Sequence, residues 1–241
     1  MPERRRLRPV LKRALIAGGA LTIAAGLAYG STYSWLFAAG SVRVEGVRRI
    51  SAEEVRHLGG IHVGANVFHL DASAIEARLR DDPRIAAATV ATDLPDVVIV
   101  TVVERVPVAV AELEGGPAVV AGDGALLPSG PIASLPRIRA VSGELDAERR
   151  TSAAVALAAM STAVRRAIAT VFSSGDGTLV LETRDGVTVT YGSATEVEDK
   201  AASLRAVLEW ARGDGIALTA IDLTVPTAPT ARTADGTVTP T

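Results

Sequence analysis

The sequence predicts an α+β chain: a single N-terminal transmembrane helix, a small β-α-α-β-β domain, and a mixed α/β domain with an antiparallel sheet. Three observations predict it. Ala14 to Ala39 runs for 26 residues without a charge. Strand, helix, helix, strand and strand patterns then follow within about 65 residues. Further strand and helix patterns, separated by Gly and Pro clusters, fill the carboxyl half.

A helix rises about 1.5 Å per residue, so roughly 20 of the 26 residues would cross a ~30 Å hydrocarbon layer. Tyr29, Tyr33 and Trp35 lie near the far end, where aromatic rings favour the membrane–water boundary. Residues 1–13 carry Arg4, Arg5, Arg6, Arg8, Lys12 and Arg13 against Glu3. A basic cluster can bind nucleic acid, but this one abuts an apolar run. The positive-inside rule accounts for it and places the N-terminus in the cytoplasm, with membrane lipid around 14–39 and no nucleic acid partner. Ala38-Ala39-Gly40 resembles a signal-peptidase site. Signal h-regions span only about 7–15 residues, so an uncleaved span is the reading adopted. The 241-residue chain has no cysteine, hence no disulfide framework and no thiolate metal site.

Val42 to Val47 alternates apolar and polar, as a half-buried strand does. Ser51-Ala52-Glu53-Glu54 reads as a capping box opening a short helix that Gly59-Gly60 ends. Asp71 caps a second helix, with Leu70 stapled against Ile75, and Asp82-Pro83 stops it. Ile85 to Ala91 and Val97 to Val103 are strands around the turn Leu94-Pro95-Asp96. The second is β-branched throughout and apolar on both faces, which predicts a central strand covered on both sides.

Val108–Leu113 and Ala118–Ala121 flank a turn, Asp123-Gly124 makes another, and residues 128–143 read as loop. Ala147 to Val171 has helical composition, with Val155, Ala159, Thr162 or Ala163, and Arg166 on one side. Leu179–Thr183 and Val187–Tyr191 form a hairpin about Arg184-Asp185-Gly186. Glu196–Arg212 is a helix with Leu204, Val207, Leu208 and Ala211 inward. Ala220–Val225 is the last strand, closed by Pro226. The Thr-, Ala- and Pro-rich tail 227–241 is expected to be disordered. The domains expected are thus a cytoplasmic segment 1–13, a span 14–39, two domains at 40–107 and 108–226, and the tail.

Catalytic patterns are missing from the sequence. His57, His62 and His69 are spaced by 5 and 7, which matches no common zinc motif. Gly-Asp-Gly at 122–124, 175–177 and 213–215 lacks the EF-hand ligand pattern and its closing Glu, and reads as turns. Gly-x-Ser-x-Gly, P-loop and Gly-x-Gly-x-x-Gly motifs are absent. No cofactor or metal site is expected. A paired-carboxylate hydrolase stays open, since such pairs need not be close in sequence.

The order and spacing of Val42-Arg43-Val44-Glu45-Gly46, Ser51-Ala52-Glu53-Glu54-Val55, Gly64-Ala65-Asn66-Val67, Leu70-Asp71, Asp82-Pro83-Arg84-Ile85, Leu94-Pro95 and Glu104-Arg105-Val106-Pro107-Val108-Ala109 resemble the FtsQ/DivIB family of bacterial cell-division proteins. The likeness to its POTRA domain covers about 39–107. Asp123-Gly124-Ala125-Leu126-Leu127 and the elements after it resemble the family's β domain. The resemblance implies a non-enzymatic divisome scaffold, a single-pass membrane protein at the septum with most of its chain outside the cytoplasm. Such proteins recruit FtsB/FtsL-type partners and help couple the cytoplasmic division ring to septal wall synthesis. The family's POTRA domain is associated with recruitment to the division site. Its β domain is associated with an FtsB-type partner that adds a strand beside the last strand.

On that resemblance the partner site is Ile221, Asp222, Leu223, Thr224 and Val225, if they form a sheet edge with unsatisfied backbone groups. Alternation puts Ile221, Leu223 and Val225 on one face. Lys200 falls about where the family carries a basic residue facing an acidic partner segment; a solvated helix charge is the other reading. Family members can carry an aromatic and a glycine-rich segment in the last strand. Here Val225-Pro226-Thr227-Ala228-Pro229 stands instead, and two prolines shorten any added strand. The competing functions are a membrane-anchored or secreted cell-wall enzyme, and a POTRA-type transport chaperone, which usually carries several POTRA repeats and a barrel.

Overall fold

In the computed structural model, residues 7–33, 38–130, 132–234 and 236–238 are described. The chain divides into two compact units, Met1–Glu104 and Arg105–Thr241.

The first unit opens with helix α1, Leu7–Ser31, of which Arg13–Ser31 is long and apolar enough to cross a membrane. The expected span 14–39 is therefore shifted. The helix starts inside the basic segment, whose Arg, Lys and Leu residues are good helix formers. Pro9 falls in its first turn, where a missing N–H costs little. Thr32 and Tyr33 N–H groups then bond back three residues, to Tyr29 and Gly30, and end the helix. Trp35, expected at the membrane boundary, lies outside the described residues. Ala38 and Ala39 lie beyond α1. They are paired to Asn66 and Ala65 of the folded unit.

Strand β1 (Ser41–Glu45), helices α2 (Ala52–Gly59) and α3 (Ala72–Arg80), and strands β2 (Ile85–Asp93) and β3 (Val97–Glu104) follow in the expected order. The sheet order is β1-β3-β2, with β1 parallel and β2 antiparallel to the central β3. Ser51 Oγ accepts the Glu54 N–H at 3.1 Å and Asp71 Oδ1 accepts the Ala74 N–H at 3.0 Å. Both caps satisfy donors that a helix start leaves over. The Glu54 carboxylate pairs with Arg84 at 2.7 Å. Gly60 ends α2 in the left-handed region, at φ 63°, where a side chain would be strained.

Val55, Leu79, Ile85, Val98 and Val100 form the buried centre of this unit. The expectation that β3 is covered on both faces is corrected. Val98, Val100 and Val102 are buried, Ile99 is half-buried, and Val103 is 55% exposed. The reason is that α2 and α3 form one layer, so β3 is central in the sheet yet covered on one side. The outer edge of β2 is not bare: Glu76 Oε1, from α3, accepts the Val90 N–H at 2.9 Å.

The second unit is built on a ten-stranded sheet. Its elements are β4 (Pro107–Leu113), β5 (Gly116–Ala121), β6 (Leu126–Leu127), β7 (Arg137–Ala140), α4 (Ala147–Ala159), α5 (Thr162–Ala167), β8 (Ile168–Ser173), β9 (Leu179–Thr183), β10 (Thr188–Gly192), α6 (Val197–Gly213), β11 (Leu218–Asp222), β12 (Thr230–Thr233) and β13 (Gly236–Val238). The strand order is β13-β12-β11-β10-β9-β8-β7-β4-β5-β6. The sheet is mixed, since β4–β7, β7–β8 and β10–β11 are parallel pairs. Its main core joins Ala109, Ile138, Leu157, Ile168, Leu181 and Leu204. Val110, Val119, Ala121 and Leu127 form a smaller cluster. As a result β4 buries four consecutive residues, Val108 to Ala111.

Three expectations for this unit are corrected. The helix expected over 147–171 is broken after Ala159, resumes at Thr162, and gives way to β8 from Ile168. Its inward residues are Ala153, Ala154, Ala156 and Leu157, while Val155 and Ala159 are only half-buried. The 128–143 loop contains β7, a four-residue strand between β4 and β8. The tail expected to be disordered forms β12 and β13 within its described residues.

One carboxylate closes the first unit. Glu104, at the end of β3, accepts N–H groups of Arg48 at 2.7 Å, Arg49 at 3.0 Å and Ile50 at 3.0 Å. Burial by itself would raise its pKa, but these three donors outweigh it and hold the group below its ordinary value. A depressed carboxylate contributes stability that is present above the unfolded pKa and lost as pH falls through the folded one. Amide exchange at 48–50, corrected for intrinsic rate, should therefore show constant protection at neutral pH and falling protection below the ordinary value of 4.5. Glu104→Gln should cost about 1–3 kcal/mol of local opening energy at pH 7, read as at least a several-fold gain in opening of the same amides.

Candidate partner-binding site

The residues expected to bind a partner sit on α6 and at the carboxyl end of the sheet. Lys200 lies in the first turns of α6, a helix whose Glu196 N-cap has a left-handed backbone, φ 50°, and no side-chain cap bond. The structure places Lys200 inside: it is 2% exposed. Its Nζ donates to the Ser193 carbonyl at 2.8 Å and stands 5.1 Å from the centre of the Tyr191 ring. Tyr191 is itself fully buried, and its hydroxyl donates to the Val197 carbonyl at 3.3 Å. Burial, and then the charge of Glu198, pushes the Tyr191 pKa well up. Lys200 is thus not a solvated helix charge. Its ammonium holds the β10–α6 connection against the sheet.

The strand expectation is also corrected. β11 ends at Asp222, and Leu223 to Val225 lie beyond it. Nor is β11 an edge. It runs parallel to β10, with Val189 opposite Ile221, and antiparallel to β12, with Ile221 opposite Ala231. Ile221 and Leu223 are buried at 2% and 0%. The Leu223 N–H donates to the Thr190 carbonyl at 2.8 Å and carries the pairing one step past the strand. Asp222 Oδ1 then accepts both the Thr224 hydroxyl, at 2.6 Å, and the Thr224 N–H, at 2.8 Å. These two bonds, the hydroxyl first, lower the Asp222 pKa. They also turn the chain out of the sheet. Val225 is 55% exposed, and the Pro226 carbonyl accepts the Ser203 hydroxyl of α6 at 2.7 Å. Pro226 and Pro229 fall in the connection between β11 and β12, where no ladder donor is needed.

Sequence reasoning missed β12 and β13. Within the described residues β13 pairs with β12 over three positions, from Ala231 opposite Val238 to Thr233 opposite Gly236. Among the described residues it is the outermost strand at this end of the sheet, and two-residue β6 is outermost at the other. The signal was present: Thr residues favour strand, and Asp235-Gly236 is a hairpin dipeptide.

The three histidines do not come together as one group. His69 stacks on Tyr33 at 3.9 Å between ring centres. Among the described residues no group of three His, Asp or Glu side chains could hold a metal ion.

Lys200 separates the two roles it could have. Lys200→Met keeps the buried stem but leaves the Ser193 carbonyl without this donor. It should cost about 1–3 kcal/mol, and Lys200→Ala should cost more because packing is lost too. Urea unfolding of the detergent-solubilised chain, followed by Trp210 fluorescence in a Trp35→Phe background, measures both. A surface contact residue would leave the unfolding midpoint unmoved.

The family model described as the POTRA domain, FtsQ-type, matches residues 37–105. A cell division protein FtsQ from Streptomyces collinus is 33% identical over 243 residues, covering 93% of this chain and 88% of its own. The Mycobacterium leprae FtsQ is 28% identical, covering 70% of this chain and 50% of its own length. A solved structure titled as the major extracytoplasmic domain of the trans isomer of the cell division protein DivIB, from Geobacillus stearothermophilus, is 17% identical. It covers 45% of this chain and 92% of that one, with a TM-score of 0.34. With an FtsQ-type POTRA domain and a one-third-identical FtsQ relative matched along nearly its whole length, the chain belongs to the FtsQ/DivIB family of bacterial cell-division proteins.

Proposed function

We propose that this chain is a bitopic, non-enzymatic division scaffold at the septum. Its α1 stays in the membrane, its basic N-terminal segment faces the cytoplasm, and the POTRA part of the first unit and all of the second lie outside. There it recruits FtsB/FtsL-type partners and helps couple the cytoplasmic division ring to septal wall synthesis. Family membership supports the division role. The apolar helix, with Arg8, Lys12 and Arg13 at its head, supports the topology.

The observation that carries the partner reading is the weak closure of the sheet at β13. Among the described residues that strand is three residues long, against four for β12 and five for β11. A partner strand of greater length gains more main-chain bonds on β12 than β13 supplies, so it takes the place of β13. Ile221, Leu223 and Lys200 then act from within, fixing the strand and helix behind the interface. Asp222 and Thr224 set the turn, and exposed Val225 lies in the connection that leads to β12.

Truncations test this directly. Deletion of residues 235–241 should leave capture of an FtsB/FtsL-type complex intact or stronger. Deletion from Thr227 onward removes β12 and should lower it by at least about tenfold, the loss of a few main-chain bonds. Arg232→Pro, which deletes one β12 donor, should fall between them. Full binding by the 227 truncation would overturn the strand-addition reading. Septal localisation of a fluorescent fusion tests the scaffold role separately.

A further inference from the structure

Apart from Tyr33, just after α1, the first unit exposes four large apolar side chains outside α1 among its described residues, and their placement is uneven. Val63 is 68% exposed, Leu94 56%, Phe68 46% and Val103 55%. Three of the four sit on the two loops that hold the chain where it leaves α1. The loop after α2 carries Val63 and Phe68. Its Ala65 carbonyl accepts the Ala39 N–H at 2.7 Å, and its Gly64 N–H donates to the Ala39 carbonyl at 2.8 Å. Asn66 Nδ2 donates to the Thr32 carbonyl at 2.7 Å, and His69 stacks on Tyr33. This loop is therefore tied to the last residues of α1 as well as to the segment after it. The β2–β3 turn carries Leu94. Its Asp96 carbonyl accepts the Gly40 N–H at 2.8 Å. Gly40 is pressed so closely to the Asp96 side chain that a Cβ there would collide with it.

We infer that Val63, Phe68 and Leu94 enter the interfacial layer of the bilayer crossed by α1, so that the POTRA unit is seated on the membrane through these two loops. The inference rests on the reading that α1 is a retained span. Exposed apolar groups on loops bonded to the residues just after α1 are covered by whatever lies at that end, and here that is lipid. Val103 is the internal contrast. It lies six residues along β3 from Val97, whose partner is Ser41, hence about 20 Å further along the strand from the loops. The contact is apolar. Asp93 and Asp96 flank Leu94, so anionic lipid is not required and the seating should persist at high salt.

The chain lacks cysteine, so single nitroxide labels can be placed on the full-length protein in phosphatidylcholine nanodiscs. The positions are Val63→Cys, Phe68→Cys and Leu94→Cys, with Val103→Cys as an equally exposed control and Leu21→Cys inside α1. Power saturation gives the ratio of oxygen to nickel-chelate accessibility, which rises with depth in lipid. The three loop labels should give ratios at least about threefold above Val103→Cys and below Leu21→Cys, unchanged between low and high salt. Loop ratios equal to the Val103→Cys value, with Leu21→Cys reading as deep, would overturn the seating and leave the span standing. Loop labels shielded from both probes would also overturn it, because a protein surface then covers them. An aqueous reading at Leu21→Cys would overturn the span itself.

Discussion

The backbone bonds around Ala39 and Gly40 fix where the sheet of the first unit begins. A chain leaving a helix normally has several loose residues before its next fixed point. Here donors and acceptors of Ala39 and Gly40 are taken by Ala65, Gly64 and Asp96, and Ser41 then starts β1. Three bonds from two loops position a parallel strand at the side of β3. That strand cannot slip by one residue without turning Val42 out of the core. The order of loops about the exit therefore follows from register in the sheet.

Glu104 closes the same unit from the other end of β3. It gathers the three amides that lie between β1 and α2, which otherwise have no ladder to join. Arg84 makes a comparable link, touching Asp82 at 2.6 Å and Glu54 at 2.7 Å. Asp82 and Glu54 hold its guanidinium protonated, and Arg84 with its partners Asp82 and Glu54 ties α2 to the start of β2. These are charges spent on order among short elements, where a small core leaves little margin.

The first unit was largely legible because its signals are local. Ser51 with Glu54 three residues on, Asp71 before an apolar helix face, and a β-branched run after Pro95 each act within one turn or strand. Reading β3 as covered on both faces failed because coverage depends on how many helices stack on the sheet, which no window of β3 contains. In the second unit the misses share one cause. Ile168 to Ser173 follows an alanine-rich helix, and composition averaged the two together. Arg137–Ala140 is a strand only because β4 and β8 stand on either side of it. Lys200 reads as a surface charge until the Ser193 carbonyl and Tyr191 ring are folded over it.

The candidate site shows the same dependence on distant partners, and there it shapes function. Ile221 and Leu223 alternate as an edge strand would, and nothing near them in sequence tells an edge from an interior strand. What decides is whether a later segment returns. Pro226 and Pro229 keep the connection out of the ladder and let Thr230–Thr233 come back antiparallel. Each strand added this way buries the donors of the one before and leaves its own exposed, so the sheet can only hand its open edge outward. Among the described residues it is handed in steps of decreasing length, from five residues in β11 to four in β12 and three in β13. A short outermost strand of this kind is what the proposed exchange with a longer incoming strand needs, and Ile221, Leu223 and Lys200 stay buried behind it.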